Sequence, residues 1–146
     1  MALILRATAV WLLLIAVEVV HGIARTLLLA PVVGDFRARQ FAVFSGSLLI
    51  LLISSLTIRW MRVDKTRWLV AVGMLWVVLT LAFEVTLGRV ILDYSWDRLA
   101  SDYNLRKGGL LPIGLTVMAM SPLLAARLRG VAKDGVTRGS TQEREV

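Results

Sequence analysis

The stretch AVWLLLIAVEVVHGIARTLLLA, residues 9–30, is long and apolar enough to cross a membrane, yet it contains three ionisable side chains. Glu18, His21 and Arg25 are spaced at i, i+3 and i+7, so a helix places all three on one stripe. An ionisable side chain near the middle of a bilayer costs roughly 2.5–3.5 kcal/mol on insertion scales. Three of them on one stripe therefore predict a polar site inside a membrane-spanning helix.

The composition of the whole chain supports a membrane location. Hydrophobic residues make up 58% of the 146 residues, charged residues 18%, and the mean hydropathy is +0.75. A soluble domain is usually about 45–50% apolar and about 25% charged, so the balance favours an integral membrane protein. The chain has no Cys, which excludes disulfides and thiolate metal sites.

Four apolar segments are long enough to span a bilayer, which needs about 20 helical residues. They are Ala7–Ala30, Phe41–Ile58, Trp68–Leu92 and Gly109–Ala126. The first and third segments contain charged residues, and the second and fourth contain none. We therefore predict an all-α domain of four transmembrane helices over residues 1–130. Residues 131–146 are polar and without periodicity, which predicts a disordered tail.

The distribution of basic residues predicts the orientation. The loop Arg59–Arg67 and the segment after Ala126 hold nine Lys and Arg residues. The two opposite loops hold five, and Asp residues offset them. Because an excess of Lys and Arg marks the cytoplasmic side, we expect an inner (plasma) membrane protein with both termini in the cytoplasm. We also expect a longer outer loop between helices three and four. A nucleic-acid role would need a basic groove with interleaved aromatics, and the sequence shows none.

The third segment adds Glu84 and Arg89 to the charges within the membrane. At a rise of about 1.5 Å per residue, Glu84 falls at the depth of His21, and Arg89 falls near the outer surface. Two carboxylates then balance two guanidinium groups in the outer half of the membrane, which leaves His21 to titrate. Glu84 and Arg89 lie about 140° apart around the helix, so we expect at least one of them to point towards the outer loop.

The outer loops provide a second set of candidates. Pro31 and Gly34 are expected to stop the first helix, and Asp35 is a plausible N-cap for the second. The residues predicted at the outer mouth of the site are Asp35, Arg37, Arg39, Gln40, Asp102 and Tyr103. Acidic residues in the long outer loop lack the spacing of a calcium loop, so the loop is interpreted as a salt-bridged interfacial cap without a metal. Small residues of the second segment, such as Ser45 and Gly46, predict close helix packing, and its serines are also compatible with a water-filled path.

The stretch AVEVVHG, residues 16–22, resembles the first helix of the small multidrug resistance transporters. In that family an embedded Glu binds a proton or a cationic drug, and the resemblance implies this role for Glu18. The likeness is confined to this stretch. The aromatic motif of the family's later spans is missing, and the outer loop after the third span is longer than in the family, so membership is not inferred.

Several functions remain compatible with this inventory. The leading prediction is a transporter or channel-like component that moves a small solute, an ion or a proton, with Glu18, His21, Arg25, Glu84 and Arg89 as its site. An accessory subunit whose charges hold a partner helix, and an enzyme acting on a lipid or quinone, are the alternatives. A purely structural Glu18–His21 pair is a further one. A bis-His haem needs two axial imidazoles and His21 is the only histidine, so only a symmetric dimer could supply the pair, and no cofactor is expected. A chain this small predicts a homo-oligomer or a larger membrane partner in the bilayer.

Overall fold

The computed structural model describes residues 1–91, 93–105 and 109–131, without the side chains of residues 98, 101 and 102. Four of its helices are long and apolar enough to cross a membrane, and we call them the first to fourth spans. They are Ala2–Val33, Asp35–Met61, Thr66–Ile91 and Leu111–Leu128. A short helix, Trp96–Tyr103, lies between the third and fourth spans and is called the cap helix. The fold is that of a small all-α multi-pass membrane protein, as predicted.

The spans differ from the predicted segments mainly at their ends. The first span continues past Pro31, because this residue lies in the first turn of the helical segment Ala30–Val33. Gly34, with φ of 84°, then breaks the helix. The second span begins at Asp35 rather than near Phe41, so the N-cap prediction for Asp35 is wrong: Gly34 is the cap residue. Hydropathy alone missed this first turn because its residues are polar.

The four spans form a bundle whose two ends are unlike. The fourth span packs most extensively against the second and third, and the first packs on the second and, less closely, on the third. We call the end that carries Met1, residues 62–65 and Val131 the terminal end, and the end that carries the cap helix the capped end. Helical segments with π-type hydrogen bonding, Arg25–Leu29 and Leu87–Ile91, lie in the first and third spans at the capped end.

The core is centred in the terminal half. Trp76 is fully buried, and its Nε1 donates a hydrogen bond of 2.8 Å to the backbone oxygen of Ala7. A Cβ at Gly73 would overlap the backbone of Ala119, so glycine is what permits the third and fourth spans to approach this closely. Close packing and buried hydrogen bonds therefore join the first, third and fourth spans in this half.

Hydroxyl groups extend these links between the spans. Ser54 Oγ donates to Ser121 Oγ at 3.0 Å, and both residues are fully buried. Trp11 Nε1 donates to Thr80 Oγ1 at 3.0 Å, and Thr80 in turn donates to Met118 Sδ at 3.2 Å. These bonds join the second span to the fourth, the first to the third and the third to the fourth.

The fourth span is too short to fill the capped half. The second and fourth spans run in the same direction, and Ser54 lies level with Ser121. Because Leu111 is ten residues before Ser121, the fourth span begins level with Phe44, which is ten residues before Ser54. Only three spans continue beyond this level. The space that the fourth span leaves open is the cavity described next.

Candidate functional site

A cavity of about 410 Å³ opens in the capped half of the bundle. Its walls come from all four spans and from the connection that precedes the fourth span. The charged or titratable side chains that line it are those of Glu18, His21, Arg25, Arg39, Glu84 and Tyr94. The stripe of three ionisable residues in the first span thus faces a shared space, together with one carboxylate from the third span.

Glu18 and His21 form the deepest polar contact of the cavity. Glu18 Oε2 lies 3.5 Å from His21 Nδ1, and the two side chains are 28% and 20% exposed. On the other side of the imidazole, His21 Nε2 lies 2.8 Å from Ser45 Oγ of the second span. The Ser45 hydroxyl itself donates to the backbone oxygen of Phe41, one turn earlier, at 3.0 Å. A continuous polar chain therefore runs from the carboxylate through the imidazole to the second span.

Gly46 determines how closely the Glu18 carboxylate approaches the second span. A Cβ at this position would lie 3.0 Å from Glu18 Oε2 and 3.3 Å from Oε1, closer than most side chains tolerate. Oε1 is buried and has no hydrogen-bond partner among the described residues. A buried acceptor without a partner costs roughly 1–3 kcal/mol, and more when it is charged. A negative charge on Glu18 therefore needs a compensating cation nearby.

An ion-pair cluster closes the capped ends of the first two spans. Asp35 lies 2.8 Å from Arg39 on its own helix and 3.6 Å from Arg25 of the first span. Arg39 Nε also donates to Asp35 Oδ2 at 2.8 Å. Two guanidinium groups thus share this carboxylate, about seven residues, or about 10 Å along the helix axis, from Glu18. Positive charge lies at the mouth of the cavity and negative charge lies deeper.

Arg89 lies outside the cavity, although the sequence placed it in the site. Its Nη1 donates to the backbone oxygen of Tyr94 at 2.6 Å, and its guanidinium lies 5.0 Å from the centre of the Trp96 ring. As the spacing of Glu84 and Arg89 predicted, one of the two points towards the connection. Arg89 fixes the start of the cap helix and is not an electrostatic partner of Glu18.

The residues predicted at the outer mouth are divided among several places. Arg39 lines the cavity, and Asp35 holds the ion pairs just described. Arg37 and Gln40 are exposed and do not line it. Tyr103 lines a second, mostly apolar pocket of about 290 Å³ under the cap helix, which Glu84 also lines. The Asp102 side chain and the predicted tail beyond Val131 lie outside the described residues.

Ser45 and Gly46 are site residues that sequence reasoning assigned mainly to packing. A signal for them exists in the hairpin that turns at Gly34. An antiparallel pair places residues at similar distances before and after the turn beside one another, and His21 and Ser45 lie thirteen and eleven residues from Gly34. The position of the turn thus predicts where the second span faces the charged stripe.

The described residues bring carboxylate, imidazole and guanidinium groups together in the cavity. They contain no group of three or more His, Asp or Glu side chains that could hold a metal ion. What the cavity does offer is a carboxylate beside a titratable imidazole, with a second carboxylate in the same space. No protein-family model, curated protein or solved structure matches this chain, so its function is inferred from the site.

Proposed function

We propose that this protein moves a proton or a small cation across a membrane, as a transporter or as a channel-like component. The observation that carries the proposal is the cavity at whose inner wall Glu18 contacts His21. Glu18 lies at the middle of the first span, Ala2–Val33, where a charged side chain is most costly and is retained mainly for function.

The arrangement of charge supports a cationic substrate. Arg25 and Arg39 are both engaged by Asp35 at the mouth, so their positive charge is partly neutralised there. Deeper in the cavity, Glu18 and Glu84 present two carboxyl groups from two different spans. A proton or a small cation at this depth compensates the negative charge, whereas an anion would meet the carboxylates.

The Glu18–His21 contact is also poorly suited to a purely structural role. Its separation of 3.5 Å exceeds that of a strong charge-assisted hydrogen bond, which is about 2.7–2.9 Å. The second carboxylate oxygen has no hydrogen-bond partner among the described residues. A pair kept only to hold two helices together would be expected to satisfy both oxygens, whereas an exchange site must leave one group free to bind.

A flux assay tests the proposal directly. Purified protein in liposomes is expected to dissipate an imposed proton gradient or to carry a monovalent cation, and Glu18→Gln is expected to abolish that flux. Asp97→Asn is the matched control, because Asp97 is an exposed carboxylate of the cap helix and does not line the cavity. Flux that persists in folded Glu18→Gln protein would overturn the assignment of this site.

Access of water to the cavity provides a second test. Because the chain has no Cys, single cysteines can be introduced without a background of native thiols. Ser47 lines the cavity, whereas its neighbour Leu48 is 72% exposed on the outside of the bundle. A membrane-impermeant thiol reagent is expected to modify Ser47→Cys and to leave Leu48→Cys unmodified in the bilayer. Equal reaction at both positions would contradict a water-filled cavity.

We further propose that both termini face the cytoplasm of an inner-membrane protein. The support is the excess of Lys and Arg in residues 59–67 and after Ala126. Lys65→Cys and Arg37→Cys place exposed thiols at the terminal and capped ends. In intact cells the impermeant reagent is expected to label only Arg37→Cys. Labelling of only Lys65→Cys would reverse the orientation.

The assembly is proposed to be a homo-oligomer, since four spans leave little room for an enclosed pore in one protomer. Isolation in mild detergent, followed by mass spectrometry, distinguishes this assembly from an accessory subunit. A stoichiometric larger partner that is lost in Glu18→Gln would favour the accessory subunit. A homo-oligomer that the substitution leaves intact supports the transport proposal.

A further inference from the structure

The Ser45 hydroxyl limits which protons His21 can hold. A serine hydroxyl carries a single hydrogen but can also accept hydrogen bonds. The acceptors within reach of that hydrogen include the backbone oxygen of Phe41 at 3.0 Å and His21 Nε2 at 2.8 Å. When the hydrogen points at Phe41, His21 Nε2 must carry a hydrogen of its own and donate it to the serine oxygen. The direction of one hydrogen bond thus fixes the protonation of one ring nitrogen.

The second ring nitrogen faces Glu18. With Nε2 protonated, a bare Nδ1 opposite a carboxylate would set two lone pairs against each other across 3.5 Å. One proton between Nδ1 and Oε2 removes this repulsion, whichever of the two atoms it is bonded to. In this state, which we call the loaded state, Glu18 and His21 together carry no net charge.

A second state has one proton fewer and leaves the heavy atoms in place. If the Ser45 hydroxyl turns from Phe41 to His21, it donates to a bare Nε2. The proton that stays on the ring must then lie on Nδ1, where it donates to the Glu18 carboxylate. In this released state the pair carries one negative charge.

We propose that Ser45 is the positioning residue of a one-proton switch, in which reversal of its hydroxyl accompanies proton release from the Glu18–His21 pair. In the release step the Nε2–H bond breaks and its proton passes to a water molecule in the cavity that His21 lines. The Ser45 hydroxyl turns at the same time, so that its O–H bond points at the bare Nε2, and the proton shared with Glu18 stays on Nδ1. Uptake is the reverse. This inference rests on the proposed function, because it identifies a proton as the ion that the site exchanges.

The charged groups around the pair are compatible with such a switch. Arg25 of the first span, Arg39 of the second and Glu84 of the third line the same cavity. The described cavity residues around the start of the fourth span are Gly109, Leu110, Leu111 and Gly114, none of which is charged. Release of the proton therefore changes the net charge of a cavity that already holds both positive and negative side chains.

The tautomer of His21 tests the proposal without a flux measurement. His21 is the only histidine of the chain, so ¹⁵N-histidine labelling gives one pair of ring signals from the protein in bilayers. Across the pH range in which the protein is folded, the wild type is expected to lose the Nε2 proton and to retain the Nδ1 proton. A wild type that ends in the Nε2–H tautomer, or whose ring signals never change, overturns the switch.

Variants of Ser45 isolate the contribution of the hydroxyl. Ser45→Ala is expected to lose the preference for the Nδ1–H tautomer and most of the proton flux. Ser45→Thr, which keeps a hydroxyl, is expected to restore both. Thr57→Ala is the control, because this hydroxyl of the same span also donates to a backbone oxygen four residues earlier and does not line the cavity. An Nδ1–H tautomer that survives unchanged in Ser45→Ala overturns the proposal.

The two proposals can fail separately. If the wild type carries proton flux and Ser45→Ala carries it undiminished, the switch is wrong and the transport function stands. If the wild type carries no flux of any ion while the tautomer changes as expected, the switch stands and the transport function is wrong. Flux of a metal cation that persists without any proton flux also overturns the switch, because the exchanged ion is then not a proton.

Discussion

The terminal half of the bundle is filled by apolar side chains around Trp76, whereas the capped half surrounds a cavity whose walls carry Glu18, His21 and Glu84. All four spans contribute to the terminal half, but the fourth span begins only at Leu111 and does not extend through the capped half. Ionisable groups are therefore located where the bundle is least tightly packed. The terminal half thus supplies the stability that allows the capped half to hold a costly site.

Replacement of the central tryptophan should give the largest loss of stability. Trp76→Ala removes a fully buried side chain, and we expect the free energy of unfolding to fall by about 3–5 kcal/mol. Trp68→Ala is the matched control, because Trp68 is 47% exposed on the same span and should cost much less. Titration with a denaturing detergent measures both. Similar losses would mean that the core is not centred on Trp76.

Disturbing the close approach of the third and fourth spans should give the next largest loss of stability. Gly73→Ala inserts a methyl group that overlaps the Ala119 backbone, and overpacking of this kind costs typically 1–3 kcal/mol. Gly114→Ala adds the same methyl group in open space near the cavity, where it should be neutral or slightly stabilising. The same unfolding titration compares the two variants. A neutral Gly73→Ala would show that the two backbones are farther apart than described.

The buried hydroxyl pair of Ser54 and Ser121 should contribute less to the free energy of unfolding than side-chain packing does. Ser54→Ala removes the 3.0 Å bond to Ser121, which keeps its own bond to the Met118 backbone oxygen. Hydrogen bonds between membrane helices average about 0.6 kcal/mol, with a maximum of about 1.7 kcal/mol. A double-mutant cycle with Ser121→Ala should therefore give a coupling in that range. No coupling would remove this pair as a link between the second and fourth spans.

The ion pairs of the capped half should contribute least to the free energy of unfolding. Asp35 is more than half exposed, and an exposed ion pair is worth about 0–1 kcal/mol. We therefore expect Asp35→Asn to change the free energy of unfolding by no more than about 1 kcal/mol. Arg37→Gln, in the same turn and outside the cluster, serves as the control. A loss as large as that of Gly73→Ala would contradict a division of stability between the two halves.

Much of the fold follows from the sequence, because a long apolar stretch in lipid must satisfy its own backbone hydrogen bonds and so becomes a helix. The spacing of Glu18, His21 and Arg25 also predicts their shared stripe, and all three residues line the cavity. What hydropathy could not give is the true start of the second span. That start depends on Gly34 and on a polar first turn supported by the pair of Asp35 and Arg39.

The partners of the charged residues were harder to predict than the residues themselves. Arg89 binds the Tyr94 backbone because the chain turns back after the third span, and a backbone acceptor leaves no mark in the sequence. Ser45 contacts His21 because of the register between two helices, which the positions of apolar residues alone do not determine. Contacts within one helix follow from spacing, whereas contacts between helices require the depth of each span.

The one-residue turn at Gly34 restricts how the cavity can change its shape. With helices on both sides and φ of 84°, this turn has no slack that would let the first two spans slide past each other by a helical turn. The third and fourth spans are joined by about twenty residues that include the cap helix. We therefore expect the movement that admits or releases an ion to occur in the third and fourth spans, which the longer connection joins. The first and second spans are expected to keep their positions relative to each other.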